Sequence, residues 1–166
     1  VSLILAQRVT ALTNEFEQAL RRCRPDKPIR FLLLKPTDEN LTYAAQRAGS
    51  DKTEYINNVL NSLKKIADIR NRRNYNIQVR FYHDAPEGKP RAVPIFRLVF
   101  IDDKLCLMSY NVFGEGGGSE LPQLHVVAVK GDRKASESFY YALEQYYESL
   151  WAQADPWEFK EFILNA

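Results

Sequence analysis

The chain has 166 residues and a mass of 19.2 kDa, which is the size of one domain. Hydrophobic residues make up 45% and charged residues 27%, values close to globular averages that exclude wholesale disorder. The net charge of +2 and the pI of about 8.5 fall short of the strongly basic balance that marks many nucleic-acid-binding domains. The two cysteines, Cys23 and Cys106, are too few for a disulfide framework or a four-cysteine zinc site. We therefore expect reduced thiols in a cytosolic setting.

The N-terminal part predicts a helix. The chain begins with valine rather than methionine, as expected of a fragment or a processed chain, and residues 4–23 carry apolar side chains three or four positions apart. The apolar residues 1–6 have two interpretations: the buried first turn of this helix, or the end of a membrane helix that precedes the chain. They are too few to span a bilayer and lack the features of a signal peptide. On the second interpretation, the chain should tolerate trimming through Leu5.

The next elements alternate between strand and helix patterns. Residues 29–35 form a nearly continuous apolar run, which is typical of a strand buried on both faces. A helix is predicted to begin near Thr37 or Asp38, to continue over residues 41–47 and to end near Gly49. Ser50 or Asp51 then suits the cap of the longest helix, which the apolar period of 3.6 residues extends toward the basic residues 70–73.

The second half predicts further strands and a long final helix. These elements are strands at residues 76–82, 95–101, 105–110 and 124–129, a tight turn at 102–104, a glycine-rich loop at 111–121, a helix at 135–153 and a short last helix at 157–164. Their order predicts an α/β or α+β fold with a single mixed β-sheet covered by helices. We expect two parts, an N-terminal helix and linker over residues 1–27 and a folded domain over residues 28–166.

Catalytic and metal-binding patterns are sparse. The sequence has no Gly-x-Ser-x-Gly elbow, no His-Glu-x-x-His motif and no P-loop. Its two histidines, His83 and His125, suit packed or hydrogen-bonded residues at strand ends. The glycine-rich residues 114–118 look like a phosphate cradle, but no helix is predicted directly after them, which favours a loop that could close over a ligand. We expect no metal and no cofactor.

The hairpin of residues 95–111 resembles half of a phospholipase D-like domain. That superfamily carries a His-x-Lys-x-x-x-x-Asp motif on one strand and its turn, followed by a second strand that ends in Gly-Ser-x-Asn. Placing Asp102 on the motif's Asp puts Arg97 on its Lys and Ile95 on its His. The resemblance covers residues 28–155, where the closing helix is similar to that of bacterial members.

The resemblance implies a phosphate site without a nucleophile. In active members the motif's histidine attacks phosphorus, whereas Ile95 has no nucleophilic atom and Arg97 can only bind a phosphate. The implied protein is a catalytically inactive domain that binds an anionic ligand. The residues implied for the ligand site are Arg47, Arg80, His83, Arg97, Asp102, Ser109 and Asn111.

The leading expectation is a sensor for a phosphate-containing small molecule, such as a nucleotide or a cyclic oligonucleotide second messenger. Such modules resemble the soluble parts of bacterial membrane-associated signalling and antiphage defence proteins. We therefore expect a cytoplasmic domain, attached to an inner membrane only through a segment outside this chain. The alternatives are a phosphodiesterase or nuclease that uses groups of a partner chain, and a protein–protein interaction module.

Aromatic residues are concentrated near the C-terminus. Their abundance has two interpretations: either these residues cover the sheet, or part of them packs against a second copy in a homodimer. These residues are Tyr140, Tyr141, Tyr146, Tyr147, Trp151, Trp157, Phe159 and Phe162.

Overall fold

The structure is a computed structural model that describes residues 2–5, 20, 27–36, 42, 44–46, 49–73, 75–82, 96–110, 122–131, 134 and 136–160. The strands in this part of the chain are β1 (Ser2–Leu5), β2 (Ile29–Leu34), β3 (Ile77–Tyr82), β4 (Phe96–Ile101), β5 (Leu105–Tyr110), β6 (Gln123–Val127) and β7 (Asp155–Pro156). Two long helices, α1 (Lys52–Arg73) and α2 (Phe139–Gln153), accompany them. The strands form a seven-stranded sheet in the order β6-β5-β4-β1-β2-β3-β7. Its parallel and antiparallel pairs confirm the predicted mixed sheet.

β1 lies at the centre of the sheet and joins its two halves. Leu3 pairs in parallel with Phe31 of β2 and antiparallel with Val99 of β4. On one side, β2, β3 and β7 form a three-stranded group, and on the other, β4, β5 and β6 form a second. β1 therefore belongs to the same sheet as the strands of residues 28–166.

The predicted helix over residues 4–23 is wrong at its beginning. Ile4 and Leu5 are strand residues, so residues 2–5 form neither a first helical turn nor the end of a membrane helix. Leu20 is helical and 1% exposed, in agreement with the prediction at that position. Residues 6–19 and 21–23 lie outside the described residues.

β2 and β3 form the parallel, most buried part of the sheet. The register pairs Ile29 with Ile77 and Leu34 with Tyr82. Every residue of β2 except Arg30 is buried, which confirms the predicted strand with apolar residues on both faces.

The two long helices cover opposite faces of the sheet. The Phe100 ring of β4 contacts the rings of Tyr140 and Tyr147 of α2, each with centroids 5.7 Å apart. Successive strand residues point to opposite faces, so Arg97 lies on the other face of β4 from Phe100. Arg97 interacts there with Tyr55 of α1. We call these the α2 face and the α1 face.

The start of α1 and the end of the preceding helical turn follow the prediction. Asp51 Oδ1 accepts hydrogen bonds from the backbone N–H groups of Thr53 (2.8 Å) and Glu54 (3.0 Å), as an N-cap does. Gly49 has φ +62°, and its N–H donates to the Gln46 carbonyl at 3.2 Å. This left-handed conformation suits glycine at the end of a helix.

The hairpin between β4 and β5 closes through a tight turn, as predicted. Asp102 and Asp103 have φ +51° and +54°, and the Lys104 N–H donates to the Ile101 carbonyl at 3.1 Å. Aspartate is among the few residues other than glycine that tolerate this left-handed region, which explains the sequence at the turn.

Two elements are shorter than predicted. α2 begins at Phe139 rather than at residue 135, because the Ser138 backbone is extended, with φ −145° and ψ 132°. β6 ends at Val127 rather than at residue 129. Both changes fall on the connection between β6 and α2.

The predicted last helix is wrong over residues 157–160, which are not helical. The Trp157 N–H donates to the Val79 carbonyl of β3 at 2.9 Å and continues the edge pairing that β7 begins. Phe159 has φ +61°, which a helix does not allow. Residues 161–164 lie outside the described residues.

Aromatic residues of the C-terminal region are buried against the sheet, in agreement with the interpretation that they cover it. Tyr140, Tyr147, Trp151 and Trp157 are each at most 8% exposed. Within the described ranges, no helix is long and apolar enough to cross a membrane.

Candidate anion-binding site

A row of polar side chains crosses three neighbouring strands on the α1 face. Arg97 of β4 pairs with Ser109 of β5, and Ser109 pairs with Gln123 of β6. Directly paired residues of antiparallel strands share a face, with Cβ atoms about 4.5–5.5 Å apart. We call Arg97, Ser109 and Gln123 the polar row. All three side chains can donate hydrogen bonds, so the row suits an anion.

The polar row lies near the edge of the sheet where ligands bind in open α/β sheets. The parallel strands β1, β2 and β3 all end at this edge. Because β4 runs antiparallel to β1, its first residue, Phe96, lies there too, opposite Tyr110 at the end of β5. Arg97 and Ser109 are the next pair along these two strands, one residue away from this edge. Crevices outside the carboxyl ends of parallel strands are the usual ligand sites of such sheets.

Arg97 carries a half-buried charge without a counterion among the described residues. Its Nε atom is buried, and no described residue accepts a hydrogen bond from it. Burial lowers the pKa of the Arg97 guanidinium, and the nearby Tyr55 opposes this shift. Burying a charge is costly unless an opposite charge or hydrogen bonds compensate. An anion bound at Arg97 would provide both.

Ser109 is the second member of the row, and it is only 3% exposed. The other buried polar residue in the described part of the chain is Ser62, whose hydroxyl donates to the Asn58 carbonyl one helical turn earlier. Ser62 therefore has a local explanation in α1. Ser109 is instead set by the strand register, which places it beside Arg97 on the same face of the sheet.

Arg80 does not contribute to this site, and the expectation that it converges with Arg97 is wrong. Through the sheet, Arg80 pairs with Leu32, which is in register with Leu98 through β1. Arg80 thus shares the α2 face with Leu98, while Arg97 is on the α1 face. Its guanidinium donates to the Trp151 carbonyl at 2.8 Å and lies 4.9 Å from the Trp151 ring centroid.

Asp102 also lies away from the polar row. It is exposed in the β4–β5 turn, five strand positions from Arg97, which at about 3.3 Å per residue is roughly 16 Å. The motif spacing fits a hairpin, but the observed register pairs Arg97 with Ser109 at the other end from the turn. The remaining predicted site residues, Arg47, His83 and Asn111, lie outside the described residues, and so does Ile95.

His125 lies beside the polar row without being a member of it. It pairs with Leu107 and is exposed rather than packed, on the same face as Ser109 and Gln123. Gln123 and Tyr55 carry no signal of a binding site in the sequence. Gln123 is the first residue of β6. Only the β5–β6 register shows that it lies opposite Ser109.

A cavity of about 320 Å³ opens at the opposite edge of the sheet, beside β3 and β7. Its lining includes Arg70, Gln78, Trp157 and Phe159. The Arg70 guanidinium lies 4.2 Å from the Phe159 ring centroid, and the Phe159 and Trp157 rings are stacked at 4.5 Å. This cavity is separate from the polar row and offers a basic, aromatic surface that an experiment must distinguish from it.

Neither a reactive cysteine nor a metal-binding cluster occurs among the described residues. Cys106 is fully buried, and burial raises the pKa of its thiol to about 12, so it stays protonated at neutral pH. The described residues hold no cluster of His, Cys, Asp and Glu that could bind a metal ion. What the polar row can do is bind an anion.

An acidic cluster on the α2 face affects stability rather than ligand binding. Burial raises the pKa of the Glu144 carboxyl, and Asp103 and Glu148 add to the shift while Arg30 opposes it. The native state therefore favours the protonated form of Glu144. The protonated Glu144 carboxyl adds to the free energy of unfolding below the pKa that this group has in the unfolded chain, near 4.5. This contribution is lost as the pH rises through the higher pKa of Glu144 in the folded chain.

We expect Glu144→Gln to raise the melting temperature at pH 7 by about 1–3 °C, and the gain to vanish near pH 3.5. Calorimetry across this pH range measures the difference. Glu148→Gln is the matched control with the opposite sign, because the Glu148 carboxylate binds the Arg30 guanidinium through both of its oxygens. A loss of stability in Glu144→Gln at pH 7 would contradict the assignment.

Comparisons with known proteins give no family for this chain. No protein-family model matches it, and a search of curated proteins finds no significant match. The phospholipase D-like resemblance accordingly rests on the residues of the β4–β5 hairpin and its surroundings.

Proposed function

We propose that this chain is a non-catalytic binding domain that senses a phosphate-containing small molecule through the polar row. The observation that carries the proposal is Arg97, a half-buried cation that no described carboxylate neutralises and whose Nε has no described acceptor. Its neighbours in register, Ser109 and Gln123, add further donors.

The polar row suits phosphate because its charged group is a guanidinium. A guanidinium binds phosphate oxygens with two parallel hydrogen bonds, and charge-assisted bonds of this kind contribute about 1.5–3 kcal/mol each. Arginine also stays charged when half-buried, which lysine does less reliably. A bound phosphate therefore removes the cost of the unneutralised Arg97 and gains hydrogen bonds at the same time.

The ligand class and the absence of turnover come from the resemblance. A phospholipase D-like site is shaped for a phosphodiester, so nucleotides and cyclic oligonucleotides are the first ligands to test. Ile95 stands where that motif has its nucleophilic histidine, so the proposed domain binds without hydrolysis. We place it in the cytoplasm, where these ligands occur, as the sensing part of a bacterial signalling or antiphage defence protein.

The test is a binding screen followed by one substitution. Thermal shift with nucleoside mono- and triphosphates, cyclic di-, tri- and tetranucleotides and pyrophosphate identifies a probe, since a ligand at 100 times its Kd stabilises the fold by roughly 2.7 kcal/mol. Titration calorimetry then compares wild type with Arg97→Met, which keeps the length of the side chain. We expect affinity for the probe to fall at least tenfold, with the melting temperature of the free protein unchanged or higher.

Two control variants locate the site. Arg80→Met removes the same charge from the α2 face and should leave affinity unchanged while lowering stability. Arg70→Met changes the cavity beside β7. Equal affinity of wild type and Arg97→Met would contradict the proposal, and a loss confined to Arg70→Met would move the site to that cavity. Hydrolysis of any phosphodiester probe would favour the enzyme alternative.

A further inference from the structure

Three of the four exposed large hydrophobic residues in the described part of the chain lie in β6 or within two residues of it. The four are Leu124 (58% exposed) and Val127 (62%) of β6, Val129 (57%) just after it, and Phe139 (57%) at the start of α2. Leu124 lies on the α2 face and Val127 on the α1 face, so exposed apolar side chains flank the edge of β6 on both faces of the sheet. We call these four residues the edge patch.

β6 also presents unused backbone groups at this edge. The Ala128 N–H donates to the Lys104 carbonyl of β5 at 2.8 Å, which fixes the phase of the antiparallel ladder. Because the direction of backbone groups alternates along a strand, the N–H and C=O groups of Gln123, His125 and Val127 point away from β5. Among the described residues, β6 is the last strand of the sheet on that side.

The sequence of β6 does nothing to discourage pairing. Edge strands of soluble proteins are commonly protected by a charged residue, a proline or a bulge within the strand. Gln123–Val127 contains no Asp, Glu, Lys, Arg or Pro, and its register with β5 is continuous. A second extended strand can therefore add to the sheet along its whole length.

We propose that β6 pairs antiparallel with β6 of a second copy of this chain, around a two-fold axis at His125. In that register, all outward N–H and C=O groups of the strand find partners in the copy. Leu124 then lies opposite Val126 of the second copy on the α2 face, and Gln123 opposite its Val127 on the α1 face. Because β6 carries no Asp, Glu, Lys or Arg, pairing with itself opposes no like charges, and it brings Leu124 against Val126 of the copy. This match, together with the two-fold symmetry of the pairing, is why we name a second copy as the occupant.

The expected dimer is weak and depends on concentration. A pair of five-residue strands with a few flanking side chains is smaller than the interface of about 1,600 Å² that a standard stable complex buries. Gln123 belongs both to the polar row and to β6, but the pairing uses its backbone and does not involve Arg97 or Ser109. The pairing can therefore be tested independently of the proposed ligand.

Cysteine crosslinking tests the register directly. In a hydrogen-bonded antiparallel pair the Cα atoms are about 5.5 Å apart, a distance that a disulfide spans. With Cys23 replaced by serine and the buried Cys106 left in place, His125→Cys should give a covalent dimer under mild oxidation. Gln123→Cys should crosslink far less, because its position faces Val127 of the second copy. Equal crosslinking of the two variants would overturn the register.

Sedimentation equilibrium of the full chain tests the pairing without modification. We expect Val127→Lys to raise the dimer dissociation constant at least tenfold. Val129→Lys makes the same chemical change at a similarly exposed position beyond the strand and should have a much smaller effect. A wild-type chain that is monomeric up to millimolar concentration, or an equal effect of the two lysines, would overturn the proposal.

Discussion

Removing residues 1–5, or introducing Ile4→Pro, is expected to abolish the cooperative unfolding transition of the chain. β1 is hydrogen-bonded to β2 on one side and to β4 on the other, and it joins the two halves of the sheet. Backbone hydrogen bonds contribute about 1 kcal/mol net each, and a domain of this size has about 5–15 kcal/mol in total. Loss of both ladders therefore removes most of the stability. Urea titration followed by circular dichroism measures it.

Val127→Pro is the matched control for the proline substitution. The Val127 N–H points away from β5, so proline removes no bond of the β5–β6 ladder, and edge strands tolerate it. We expect a far smaller loss of stability than in Ile4→Pro. An unchanged unfolding midpoint after removal of residues 1–5 would show that they are a detachable tether, as one interpretation of the sequence had it.

Trp151→Ala is expected to destabilise the fold by about 3–5 kcal/mol, the range typical of a buried aromatic residue replaced by alanine. Trp151 is 8% exposed and stacks on Tyr147 with ring centroids 6.0 Å apart. The guanidinium groups of Arg30 and Arg80 lie 5.1 and 4.9 Å from its ring centroid. Truncation leaves a cavity between α2 and the sheet and removes the aromatic surface on which both cations rest.

Phe139→Ala in the same helix is the control for Trp151→Ala. Phe139 is 57% exposed, so its truncation should change the free energy of unfolding by no more than about 0.5 kcal/mol in dilute solution. Trp151→Phe should recover part of the loss. If Trp151→Ala cost no more than Phe139→Ala, the packing of α2 described here would be contradicted.

The elements that could be predicted from the sequence are those with strong local signals. β2 and β3 are apolar runs of ordinary length, Asp51 is a typical N-cap, and Asp102 and Asp103 suit the turn that they form. β1 could not be predicted in this way. It has only four residues, its partners Phe31 and Val99 are distant in the sequence, and its apolar residues continue the period of the segment that follows.

The candidate site was predictable to the extent that it lies within one hairpin. Arg97 and Ser109 are paired by the β4–β5 turn, so their proximity follows from local sequence. Arg80 does not belong with Arg97, because the face on which each lies depends on the register of four strands, which the sequence of β3 does not contain. Gln123 enters the row through the β5–β6 register for the same reason.

The position of β1 also affects the order in which the chain folds during synthesis. Ser2 lies opposite Arg30 of β2 and Phe100 of β4, so β1 is made before both of the strands that it pairs with. At about 5–20 residues per second, β4 follows β1 from the ribosome by roughly 5–20 s. During that time the backbone groups on one side of β1 cannot form their hydrogen bonds to β4. The contacts between β1 and β4 join residues almost one hundred positions apart, so we expect their pairing to be a late and slow step of folding.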